Sequence, residues 1–86
     1  MFGGRTVLEL LKKSKKTIGT KQTLKAIEKG VAITVFIARD ADERVTGNLI
    51  KMSRNQGVEI VYVESMKQLG KACGIEVGAA TAAIIK

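Results

Sequence analysis

The sequence has no histidine and no proline, a single cysteine (Cys73), and only three aromatic residues, Phe2, Phe36 and Tyr62. Without histidine there is no Ser-His-Asp triad, no histidine acid–base pair and no histidine-containing metal site. A lone thiol forms no intramolecular disulfide and suits a reducing compartment. Cys73 falls at the inward spacing of an expected helix and reads as a small buried hydrophobe. The lack of proline argues against long structureless linkers. No apolar run approaches the ~18 residues of a membrane span, and Met1 to Gly4 do not open a signal peptide, so the expectation is a cytoplasmic protein with no membrane partner. Two of the three aromatics fall within expected strands, which leaves no evident platform for stacking single-stranded bases. A nucleic-acid partner would have to be folded and read through backbone, groove and shape.

What is present points to one small α/β domain over residues 1–86. Hydrophobic residues make up 45% of the chain, and with aromatics at 3% the core must be built from Ile, Val, Leu and Ala. The net charge is +7, from 15 Lys and Arg against 8 Asp and Glu. Residues 1–30 hold eight basic residues (Arg5, Lys12, Lys13, Lys15, Lys16, Lys21, Lys25, Lys29) against two acidic ones, Glu9 and Glu28, whereas residues 31–86 hold seven against six. The excess is therefore concentrated in the first third. Such segregation fits a polyanion-binding face, and a solvated helix face is the plainer alternative.

Thr6 and Glu9 have capping-box spacing, with Val7, Leu8 and Leu11 along one face of a first helix that frays through Ser14. A short extended piece at Lys16–Ile18 precedes a helix over residues 20–29, with Thr20 as its expected cap and Gly30 as its C′ glycine. VAITVFIA at Val31–Ala38 and VEIVYV at Val58–Val63 are continuously apolar, so both read as central strands covered on two faces of a mostly parallel sheet joined by right-handed crossovers. Between them a helix opens at an Asp40–Glu43 capping box, with Val45, Leu49 and Met52 inward, and ends at Gly57. Ser65 and Gln68 open a last helix with Met66, Leu69 and Cys73 inward. Gly70 is out of place there unless something packs close to it. A loop at Gly74–Gly78 leads into a final strand.

Little here resembles a reaction centre. Asp40, Asp42 and Glu43 precede a helix that needs a cap and lack calcium-loop spacing, so no metal is expected. Gly70, Gly74 and Gly78 stand behind a helix, not between a strand and a helix as a dinucleotide fingerprint requires, and no cofactor is implied. The best contact surface is the opening of the second helix. Lys21, Gln22 and Lys25 share a face opposite Leu24 and Ile27. Exposed N–H groups there favour phosphate, Lys and Gln can donate to base edges, and Gly19 lets a backbone approach. On pattern alone an ordinary solvated helix start is an equal reading.

Three stretches, IGTKQTLKAIEKG (Ile18–Gly30), FIARDADERV (Phe36–Val45) and ESMKQLGKACGIEVGAATAAII (Glu64–Ile85), together resemble the kink-turn-binding family of ribosomal proteins, in particular its small bacterial paralogues. The resemblance spans essentially the whole chain. It implies a three-layer α-β-α sandwich with a mixed four-stranded sheet, and a non-enzymatic, monomeric protein that binds structured RNA containing a kink-turn, with the ribosome as a further partner. In the family a Gly-x-Asn-Glu helix opening enters the major groove at tandem G·A pairs. That motif matches Gly19, Thr20, Lys21 and Gln22 here, with Lys25 at the family's helix lysine. Gln22 can still accept from a guanine amino group through its amide oxygen, whereas Lys21 cannot accept at all. The family's base-covering loop matches Gly74, Ile75, Glu76, Val77 and Gly78, with Ile75 and Val77 as its apolar residues; the plainer alternative is that both fill the core. Arg39 and Arg44 flank a turn that in the family often carries a proline where Glu43 stands and are counted as candidate RNA contacts. Lys71 lies in the helix leading into the loop and could reach phosphate, and Lys12, Lys13, Lys15 and Lys16 are candidates for phosphate contacts. The competing function is a ribosome-associated module that binds rRNA by charge and shape without kink-turn selectivity.

Overall fold

A computed structural model describes residues 11–86. The expected Thr6–Glu9 capping box, with Val7 and Leu8, lies outside the described residues. Residues 11–13 are helical, and β1 (Lys16–Ile18), α1 (Thr20–Glu28), β2 (Ala32–Ala38), α2 (Glu43–Asn55), β3 (Glu59–Val63), α3 (Met66–Cys73) and β4 (Thr81–Ile85) follow. The four strands form one mixed sheet in the order β1-β4-β2-β3.

The apolar run of β2 is split by the period-two geometry of a strand into two cores. Phe36 and Ala38 face a cluster with Leu11, Leu69, Ala72, Cys73 and Ala82. Val35 and Ile37 face the other side, with Ile27, Leu49 and Ala83. Adjacent residues of β4, Ala82 and Ala83, thus serve opposite layers, and their small size lets helices approach both faces. The three-layer sandwich follows from this division. Cys73 is buried as expected, and burial pushes its thiol pKa up, partly offset by the charge of Lys16.

Three expectations are corrected. The sheet is not mostly parallel: β2 and β3 pair in parallel, but β4 runs antiparallel to both β1 and β2. Continuous apolarity reports that two faces are covered and carries no information on direction. Here the chain descends through α3, returns along the same helix in the loop before β4, and so enters the sheet from the opposite end. Second, β3 is an edge strand, with Tyr62 43% exposed. Both cores draw on its residues, Val61 and Val63 on one side and Ile60 on the other, which is why it looks central in sequence. Third, the helix stripes are more polar than expected. The buried side of α2 is Thr46, Leu49 and Ser53, with Met52 only half-buried, while Val45 and, in α3, Met66 are exposed.

The capping signals are also distributed differently. Ser65 caps α3, accepting from the Gln68 N–H at 3.2 Å. Asp42, not Asp40, caps α2, accepting from the Arg44 N–H at 2.9 Å. Helix α1 ends in a Schellman pattern, with the Gly30 N–H bonded to the Ile27 carbonyl and the Val31 N–H to that of Ala26, and Gly30 at φ 72°.

Candidate nucleic-acid interface

Strand directions fix where the functional segments gather. With β1, β2 and β3 running one way and β4 the other, one end of the sheet collects the exits of β1, β2 and β3 and the entry of β4. Helices α1, α2 and α3 follow those three exits, so all three have their N-termini at this end, the upper pole. Their C-termini, and the helical residues 11–13 that lead into β1, lie toward the lower pole. Aligned helix dipoles make the upper pole the anion-favouring one.

The three N-termini are not equivalent. Those of α2 and α3 are closed by Asp42 and Ser65. Helix α1 starts at Gly19, with no capping side chain and no acidic residue in its first turn. Thr20, expected to be the cap, is instead the first helical residue. Gly19 sits at φ 96°, ψ 155°, a conformation that side-chain-bearing residues rarely adopt. Its N–H donates to the Thr81 carbonyl at 2.9 Å and its carbonyl accepts from the Thr23 N–H at 3.0 Å. Beneath this turn the Thr17 and Thr23 hydroxyls lie 3.1 Å apart and the Thr81 hydroxyl reaches Thr20 at 3.5 Å. The threonines fasten the helix opening to β1 and β4 while Lys21, Gln22 and Lys25 remain exposed.

The loop at Gly74–Gly78 is laid antiparallel along α3. Gly74 ends the helix in the left-handed conformation, and the Ile75 N–H bonds to the Gly70 carbonyl at 3.0 Å. A Cβ at Gly70 would overlap the Val77 carbonyl, and one at Gly78 would come within 3.1 Å of the Met66 Cβ. The close neighbour that Gly70 demands is therefore this loop. The two apolar loop residues have different surroundings: Ile75 is half-buried against the core around Leu69, while Val77 is 70% exposed. Glu76 is exposed between them.

Arg39 and Arg44 also belong to the upper pole. The Arg39 guanidinium lies over the Tyr62 ring, 5.3 Å from its centroid, and Arg44 makes a solvent-exposed 3.7 Å ion pair with Asp42. Tyr62 is not apparent from the sequence, because its place within a strand implies burial; only its position on an edge exposes it. Lys71 is exposed in the last turn of α3, toward the lower pole.

The lysines that precede β1 or open it, Lys12, Lys13, Lys15 and Lys16, are not brought to this pole, whereas Lys21, in the first turn of α1, is. The Ile85 N–H bonds to the Lys15 carbonyl and the Lys86 N–H to that of Val31, which places Lys15 at the lower end of the sheet with the C-terminus of α1. Lys16 begins β1 opposite Ile84, its Nζ 3.4 Å from the Lys12 carbonyl, and Lys12 and Lys13 precede it. Arg54 and Lys71 occupy the last turns of α2 and α3, where cations complement helix C-termini. Among the described residues no cluster of potential metal ligands occurs, and no helix is long and apolar enough to cross a membrane.

Known proteins are similar to this chain in sequence, and solved structures are similar to it in fold. An RNA-binding protein of Bacillus pumilus is 52% identical over 68 residues, covering 79% of this chain and 83% of that protein. The large ribosomal subunit protein eL8 of Halobacterium salinarum is 44% identical over 68 residues, 78% of this chain and 57% of its own length. Among solved structures, the Giardia lamblia 15.5kD RNA binding protein superposes with a TM-score of 0.88 at 30% identity, covering 96% of this chain and 73% of that one. The model of the ribosomal protein L7Ae/L30e/S12e/Gadd45 family matches residues 4–86, and the chain belongs to that family.

Proposed function

We propose that this protein binds structured RNA without catalysing a reaction, that its upper pole forms the contact, and that the RNA motif it selects is a kink-turn with tandem G·A pairs in a ribosomal setting. The observation that carries the reading is the asymmetry of the three helix N-termini. Only α1 is left open, at a glycine, with Lys21 and Gln22 exposed beside it and Lys25 exposed a turn further along. Its first-turn N–H groups supply donors for a phosphate, and the Gln22 amide can both donate to and accept from a base edge. The exposed Val77 offers an apolar surface for an unstacked base at the same pole. The Bacillus and Giardia relatives are RNA-binding proteins and the Halobacterium one is ribosomal, which agrees with this reading.

The deciding measurement compares affinity for a kink-turn duplex with that for the same duplex after its G·A pairs are converted to Watson–Crick pairs. A large preference for the former is expected. Equal affinity would leave an RNA-binding module that works by charge and shape, and would remove Gln22 and Val77 from base recognition.

A further inference from the structure

We propose that Asp40 is a positioning residue that holds the RNA-contacting loops of the upper pole in register through Met66, an inference that rests on the proposed RNA interface. Its Oδ1 accepts from the Met66 N–H at 2.8 Å, across 26 positions of sequence. Helix α3 already has a local cap in Ser65, so its formation does not depend on Asp40. What Asp40 adds is a tie between segments. The Met66 carbonyl accepts from the Ala79 N–H at 3.0 Å, and Gly78 packs directly on Met66. Asp40 thus joins the Arg39–Arg44 turn to the start of α3, and Met66 passes the tie on to the loop that presents Val77. Each segment has anchors of its own, the Arg39 N–H on the Val63 carbonyl at 2.8 Å and the Ile75 N–H on that of Gly70 at 3.0 Å. These hold each segment to its own neighbours, and the exposed Asp40 side chain is what joins the turn to Met66.

Charge makes the placement informative. A carboxylate on a surface that meets phosphates should oppose binding, so removing it should help if electrostatics were all that mattered. If Asp40 acts by holding geometry, removing it should hurt, and only on the RNA whose shape the loops read. The acceptor and the charge separate cleanly in two variants, because Asp40→Asn keeps an oxygen for the Met66 N–H without the charge, whereas Asp40→Ala keeps neither.

The test uses the full chain in two measurements. In the RNA-free protein, hydrogen exchange at the Met66 and Ala79 amides should accelerate in Asp40→Ala and return toward parent rates in Asp40→Asn. In binding, Asp40→Ala should lose about five- to tenfold on the kink-turn duplex, the scale of one ordinary hydrogen bond. It should lose nothing on the Watson–Crick duplex, and Asp40→Asn should bind the kink-turn at least as tightly as the parent. Unchanged exchange at Ala79 in Asp40→Ala, or kink-turn binding by that variant at or above parent affinity, would overturn the proposal. A parent protein that does not distinguish the two duplexes would instead overturn the proposed kink-turn selectivity, and the exchange rates would still decide whether the tie exists.

Discussion

The two poles of the sheet are built from the same helices and differ in what those helices leave unsatisfied. At the upper pole the helix ends expose N–H groups, and one of them, that of α1, has no cap. At the lower pole the ends expose carbonyls, and Arg54 and Lys71 stand in the last turns that face them, while Lys25, midway along the short α1, falls between the poles. A lysine at the lower pole therefore has a structural occupation, complementing a helix C-terminus, that a lysine at the upper pole lacks. Charge count alone would weight Lys12, Lys13, Lys15 and Lys16 above Lys21. The geometry separates them: Lys21 stands beside the uncapped N-terminus of α1, while Lys15 and Lys16 lie at the opposite end of the sheet.

Salt gives the largest expected effect. If three to five phosphates are neutralised, the log–log slope should be about −3 to −4, and affinity should fall roughly a hundredfold between about 50 and 200 mM salt. A flat dependence in a salt titration would abolish the polyanion argument for either pole.

Next in size is the contrast between base reading and positioning. Gln22→Ala should lose about 1–3 kcal/mol on the kink-turn and little on a plain duplex. Equal losses on both RNAs, measured by titration, would show that Gln22 does not read a base.

The loop supplies a contrast within the upper pole. Ile75→Ala should lower folding stability by about 1–3 kcal/mol in urea melts, because its half-buried side chain packs on the Leu69 core. Val77→Ala, at 70% exposure, should change stability by less than about 0.5 kcal/mol and act on RNA affinity instead. If both variants are destabilised and still bind like the parent, the loop belongs to the core and not to the interface.

The smallest effects belong to the lower pole. Lys12→Ala, Lys13→Ala and Lys16→Ala should each weaken binding to kink-turn and plain duplex alike, by less than about 1 kcal/mol, and flatten the salt slope by no more than about 1. A selective loss on the kink-turn from any of them would erase the distinction between the poles.

Much of the fold is legible in the residues themselves. The two-sided burial of β2, the Schellman glycine Gly30, the Ser65 cap and the close neighbour required by Gly70 all rest on local geometry that a residue type imposes on its own neighbourhood. The candidate contacts at Gly19–Gln22 are legible for the same reason, since a glycine before an amphipathic helix is a local signal. The two roles of the acidic turn are not. Asp40 and Asp42 have the same side chain two positions apart, and which one caps α2 and which crosses to Met66 depends on where α3 lies. Ile75 and Val77 are likewise indistinguishable in sequence; the line of the loop along α3 buries one and exposes the other.

Residue chemistry alone makes this a small α/β chain with a basic amino-terminal third, an aliphatic core, no histidine chemistry and helices whose starts and stops are written in caps and glycines. These are properties of residues and of their near neighbours, and near-neighbour physics is what a sequence states directly. Long-range packing was needed to place β4 between β1 and β2 from the far end, to make β3 an edge, and to bring three helix N-termini together while Lys15 and Lys16 go to the opposite end. Strand order and direction are set by how the two layers of helices share out one sheet's faces, a balance among contacts distant in sequence that leaves no mark on any single residue.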